Sequence, residues 1–225
     1  MVDARVPTLL RAYWRFKYAI LLAALLFALV LMPVIGASLQ EHGLTRITLV
    51  VVMLACILAT ARSRAVMGLS AVLALVGESS YVLPSELAKG CHVLLFFLVS
   101  AIVLADVMQV EEVNADKIRG AVCGYMLMAL GFAILYGLVA TTSPGSFSVS
   151  KPSFATLTYF SFITISTLGY GDILPTSDAS RALVAVEALI GQFYIAIVVA
   201  RLISLQITVG RDIRPSQPIS VSGER

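Results

Sequence analysis

Apolar runs long enough to cross a lipid bilayer recur along this chain from Phe16 to Ile207, and that recurrence constrains the fold more than any other feature. Hydropathy marks six of them: about Phe16–Ile35, Leu44–Ala61, Ala65–Leu83, Leu87–Val110, Ile118–Thr142 and Ala179–Ile207. With 59% hydrophobic and only 13% charged residues, the sequence lacks the polar surface that a water-soluble domain needs. Turn and charge signals separate the runs: Gly36 to Gly43, Arg62-Ser63-Arg64, Pro84, and the connector Glu111 to Lys117. The N-terminus imitates a secretory leader, with Arg5, Arg11, Arg15 and Lys17 ahead of an apolar stretch. Tyr18 to Ile35 exceeds the ~7–15 residues of a leader's apolar region, so a retained first span is expected, with Tyr13 and Trp14 as interfacial anchors.

Charge placement supports this count. If the N-terminus is cytoplasmic and six crossings follow, twelve of the 16 Lys and Arg residues fall inside, leaving Arg46, Lys89, Lys151 and Arg181 outside. That is the bias of the positive-inside rule, and removing one crossing would strand Arg211 and Arg214 on the wrong side. The expected architecture is an all-α membrane protein of six transmembrane helices, multi-pass in the cell membrane with both termini cytoplasmic. Cys56, Cys91 and Cys123 lie inside apolar runs without metal-ligand spacing, so they are expected to be small core residues.

Between the fifth and sixth runs lies a segment that fits neither. Pro144 and Gly145 break the fifth helix, and Pro152 is suited to open a new one because its fixed φ matches a first helical turn. Phe154 to Ser166 is apolar and rich in Ser and Thr, but at 1.5 Å per residue it spans only roughly 20 Å. A core of about 30 Å is out of its reach. It is therefore expected to be a re-entrant helix that returns as Thr167 to Asp172, because non-helical backbone at that depth must be buried in protein or line an aqueous path. Gly169 and Gly171 sit two apart, where alternate left-handed residues would turn successive carbonyls toward one axis. Such carbonyls are hard oxygen ligands that can replace a cation's hydration shell. The Thr167 hydroxyl adds an oxygen, Tyr170 points away as a brace, and Asp172 draws cations and ties the return segment to the short helix.

Thr167-Leu168-Gly169-Tyr170-Gly171-Asp172, between two apolar runs and behind a Ser/Thr-rich short helix, resembles the selectivity filter of the potassium-channel pore family. It differs from the usual signature by leucine for valine at position 168. The resemblance covers about Gly120 to Leu205 and suggests a six-span, bacterial-type channel. It implies potassium ions held at Thr167, Leu168, Gly169 and Tyr170, with Gly171 completing the filter. It also implies filter support from Tyr159 and Phe160 as an aromatic pair, with Ser166, Asp172 and Glu187. Gly191 falls at a gating hinge, and Gln192, Ile195, Val199 and Ile203 face a central cavity. One chain supplies one filter strand, so the resemblance implies a homotetramer, and no cofactor beyond the permeant potassium ions.

The domain organisation that follows is a cytoplasmic segment 1–15, a four-helix transmembrane domain 16–110, a connector 111–119, a pore domain 120–207 and a cytoplasmic tail 208–225. The stretch of the fourth run from Cys91 to Asp106 contains no Arg or Lys, so it is not expected to be the arginine-rich helix of a voltage sensor. The tail is expected to be too short for a regulatory ligand domain. Glu78 is expected to snorkel, Asp106 to join Glu111 and Glu112, and His92 to lie near the outer surface as a candidate pH sensor. Glu187 reads as a carboxylate behind the filter or a paired structural one. Enzyme chemistry finds no constellation of residues, and the basic residues are explained by topology rather than by nucleic acid. Competing readings are a weakly selective cation channel, a transporter with a channel-like pore, and a non-conducting membrane partner or sensor subunit. A transporter of that kind carries four pore repeats, whereas this chain has one.

Overall fold

A computed structural model of the chain describes residues 8–35, 50–58, 64–78, 85–109 and 115–212. Their regular structure is helical: α1 (Thr8–Ile35), α2 (50–58), α3 (Arg64–Glu78), α4 (Ser85–Met108), α5 (Ala115–Thr142), α6 (Phe154–Ile165) and α7 (Asp178–Asp212). Three stretches are long and apolar enough to cross a membrane: Glu86–Met108, Ala115–Thr142 and Asp178–Arg201. Shorter apolar stretches are Lys17–Val30, Ala65–Gly77 and Phe154–Ile165. The described residues are thus helical throughout their regular structure, with three helices of the length and composition of membrane spans. The turn expected over Gly36 to Gly43, Arg62-Ser63, Pro84, the connector residues 110–114 and the tail beyond Asp212 lie outside the described residues, as does the side chain of Glu78.

Helix α5 is the organising element. It is apolar on every side, which is the pattern of a helix packed all round, and from Gly120 to Tyr136 nearly every residue is buried. Helices α1 and α4 pack on it, α3 packs on α4, and α6 lies between α5 and α7. On α1 the contact is a stripe of Tyr18, Leu21, Leu25 and Ala28, three to four residues apart as a helix face requires. It meets Leu95, Phe96, Val99 and Val103 of α4 and Cys123, Leu127 and Leu130 of α5. A second core joins Ala129, Phe132 and Tyr136 of α5 to Leu157, Phe160 and Ile163 of α6 and Tyr194 and Val198 of α7.

Two polar ties fasten α4 to α5. The Ser100 hydroxyl donates to the Gly124 carbonyl at 2.7 Å within the buried contact. At the other end, Asp106 accepts from Lys117 of α5 at 2.7 Å, Lys17 at 3.2 Å and the Tyr18 hydroxyl at 2.5 Å. Asp106 is therefore a knot among α1, α4 and α5 rather than a companion of Glu111 and Glu112 alone. Lys117 is already in the first turns of α5, which begins at Ala115, three residues before the expected Ile118. His92 is buried in the α3–α4 contact, with its ring over Gly77. Cys56 and Cys123 are buried and Cys91 is half-buried, and none of the three forms a disulfide among the described residues.

Candidate functional site

Helix α6 starts where a serine can cap it. The Ser153 hydroxyl accepts from the Thr156 amide at 3.1 Å, satisfying one of the amides left orphaned at a helix start. Pro152 precedes this cap and so lies one step outside the helix it was expected to open. The helix has 12 residues, or roughly 18 Å at 1.5 Å per residue.

The end of α6 accounts for each of its last four carbonyls, which have no partner within the helix ladder. Phe162 accepts from the Ser166 amide at 3.3 Å and the Ser166 hydroxyl at 2.7 Å. Ile163 accepts from the amides of Leu168 at 2.9 Å and Gly169 at 3.0 Å, and Thr164 from the Thr167 amide at 2.9 Å. Ile165 accepts from the Tyr125 hydroxyl of α5 at 2.7 Å. Three carbonyls thus fold the following residues back on the helix, and the fourth fastens it to α5.

From this base the chain runs through Thr167 to Gly171 with positive φ at every second residue: 58° at Thr167, 50° at Gly169 and 78° at Gly171. A Cβ built on Gly169 or Gly171 would meet nothing within 4 Å. Glycine answers there to the backbone angle and not to crowding. The third left-handed residue, Thr167, was not foreseen, because a β-branched residue resists that angle. Its hydroxyl donates to the Ser166 carbonyl at 2.7 Å, and Gln192 Nε2 of α7 donates to Thr167 Oγ1 at 3.4 Å. Leu168 is 56% and Tyr170 68% exposed within the single chain.

The return stretch is held on both sides. Tyr159 of α6 donates to Asp172 Oδ2 at 2.9 Å. Phe160 does not join that contact; it is buried against Tyr136 and Phe147, with ring centroids 5.3 and 5.6 Å away. The segment after Asp172 zips onto the loop after α5. The Ser148 amide donates to the Leu174 carbonyl and the Thr176 amide to the Ser146 carbonyl, both at 2.9 Å, with Phe147 and Pro175 in an isolated bridge.

Behind α6, Glu187 of α7 is 0% exposed. One carboxyl oxygen accepts from the Tyr136 hydroxyl of α5 and the other from the Ser161 hydroxyl of α6. Ser161 also lies 2.6 Å from the Ala129 carbonyl. Glu187 thereby joins α7 to both neighbouring helices through hydroxyls, which suits a polar group in an apolar interior. Tyr136 and Ser161 were not singled out in the sequence; their only signal is a hydroxyl in an apolar run, which must find a partner when buried.

Further along α7, Gln192, Ile195, Val199 and Ile203 share one face at helical spacing and are exposed in the single chain. Gly191 lies within the unbroken helix, and a Cβ placed on it would sit 2.5 Å from the Ile165 carbonyl oxygen.

Residues 121–206 match a family model described as "Ion channel". That segment, from the start of the buried part of α5 through α6 and the loop to Gln206 of α7, is similar to an ion-channel pore module, and the match supports the resemblance to the potassium-channel pore family. No curated protein and no solved structure matches the chain.

Proposed function

We propose that four copies of this chain form a potassium-selective channel, with α6 as a re-entrant pore helix and Thr167 to Gly171 as one strand of a fourfold filter. The observation that carries this reading is the left-handed backbone at Thr167, Gly169 and Gly171, within a segment that matches an ion-channel family. Alternation of that kind directs successive carbonyls to one side, where four strands would surround a dehydrated cation. A closed ring of identical chains uses one heterologous interface repeatedly. Ring closure also gives a role to the exposed surfaces of Leu168 and Tyr170, which would pack on neighbouring copies, and to the Gln192–Ile203 face of α7, which would line the cavity. The partly negative C-terminal ends of four α6 helices would favour a cation there.

The six-span topology with cytoplasmic termini belongs to this proposal, with the first four helices as a collar without sensor arginines. Asp172, held by Tyr159, would keep the outer mouth attractive to cations, and Ser166 and Glu187 would steady the filter from behind. The expected result for purified full chain in liposomes is potassium efflux far faster than sodium efflux, blocked by barium. Equal efflux of the two ions would favour a weakly selective channel, and no efflux of either would favour a non-conducting partner.

A further inference from the structure

The Ile165 carbonyl is the point where α5, α6 and α7 meet. It closes the last turn of α6, two residues before the left-handed Thr167. From α5 the Tyr125 hydroxyl reaches it at 2.7 Å, and the Tyr125 ring is itself lodged against Tyr194 of α7, with centroids 5.5 Å apart. From α7 the backbone of Gly191 approaches so closely that a Cβ would stand 2.5 Å from the carbonyl oxygen, 2.7 Å from Ile165 Cγ1 and 3.3 Å from the carbonyl carbon. Two of these obstacles are main-chain atoms that cannot swing aside as the end of a side chain could. The other three terminal carbonyls of α6 are used by the loop itself, so Ile165 supplies the one carbonyl of this turn that is fastened to a neighbouring helix.

We propose that Tyr125 and Gly191 are positioning residues of the filter, clamping the Ile165 carbonyl from two sides, and that residue 191 is glycine for close approach rather than for bending. Tyr125 supplies the donor that the carbonyl would otherwise lack in an apolar setting. Gly191 supplies the missing volume that lets α7 press the junction home. Together they set where the loop begins, and a movement of α5 or α7 reaches the loop through this junction. The inference rests on the channel reading, yet its structural half stands apart from conduction.

The test uses the full chain in planar bilayers, as wild type, Tyr125→Phe, Gly191→Ala, Ile190→Gly and the double variant Ile190→Gly with Gly191→Ala. Removing the hydroxyl donor should shorten the conducting dwell of Tyr125→Phe by roughly tenfold. Gly191→Ala should lose at least as much current, and a glycine restored one position earlier should not recover it. A hinge needs flexibility nearby, whereas a close contact needs the gap at residue 191. Recovery in the double variant to the level of Ile190→Gly alone would overturn the proposal, as would wild-type dwell times in Tyr125→Phe.

Hydrogen exchange supplies a second readout that does not depend on current. The amides of Leu168 and Gly169, both bonded to the Ile163 carbonyl, should exchange roughly tenfold faster in Tyr125→Phe. Unchanged exchange would sink the clamp even if Gly191→Ala failed to fold. A wild-type chain that conducts nothing, but whose exchange responds to Tyr125→Phe, would reject the channel reading and leave the clamp standing.

Discussion

Two regions of the molecule require glycine for opposite reasons. In the loop, Gly169 and Gly171 carry φ of 50° and 78° with open space around them. On α7, Gly191 has ordinary helical geometry but no room for a single carbon against the Ile165 carbonyl. The first demand is set by the chain's own sterics and is local. The second is set by a neighbouring helix and exists only once α6 and α7 are packed. A loop shaped from within needs an outside anchor if it is to keep a fixed position, and the Ile165 junction supplies one.

The largest expected effect comes from breaking the local demand. Gly169→Ala should abolish potassium current while leaving α6 and α7 packed, because alanine in a left-handed position costs about 1–3 kcal/mol in every copy of the proposed ring. Wild-type current from that variant in a planar bilayer would place the loop outside the conduction path. A strong effect of a different kind is expected far from the loop. Asp106→Ala leaves Lys17, 8% exposed, and Lys117 without their shared carboxylate, and breaking a largely buried pair costs about 3 kcal/mol. Thermal unfolding should shift down accordingly while the potassium-to-sodium preference stays intact. Lost selectivity there would mean that the loop is not shaped locally.

A smaller effect tests the packing on the far side of α6. Glu187→Ala strands the Tyr136 and Ser161 hydroxyls and should lower stability by about 1–3 kcal/mol. Glu187→Gln should remain near wild type, since its amide can accept from Tyr136 and donate to Ser161. Equal losses in the two variants, measured by thermal unfolding, would contradict the hydroxyl network. The smallest change is expected from Tyr159→Phe, which removes the exposed hydrogen bond to Asp172 and should cost about 1 kcal/mol. It should be read as a modest shift in barium affinity at the outer mouth, and a total loss of current would assign Tyr159 a larger part than one surface bond.

The contrast between the two kinds of glycine also explains what the sequence could reveal. Backbone demand marks residue type at short spacing, so Gly169 and Gly171 stood out beside Tyr170 and Asp172. Thr167 stood out for its hydroxyl but not for its left-handed angle, which is imposed on a residue that resists it. Helices were legible as apolar runs, although one limit moved: α5 begins at Ala115 rather than Ile118, whereas α6 begins at Phe154, where its apolar run begins. Contacts between distant residues left no comparable trace. Tyr125 and Ile165 are 40 residues apart, and Tyr18 and Asp106 are 88 apart, so nothing local to Asp106 pointed to α1. His92 is a similar case: nothing local to it pointed to Gly77, which opens a buried slot for its ring.

In the proposed channel, the loop from Thr167 to Gly171 chooses the ion. That choice is tested most directly by the reversal potential of purified full chain in a planar bilayer, with potassium on one side and sodium on the other. The reversal potential is expected far toward the potassium equilibrium value, and it should collapse together with the current in Gly169→Ala. A reversal potential near zero in the wild type would contradict that choice.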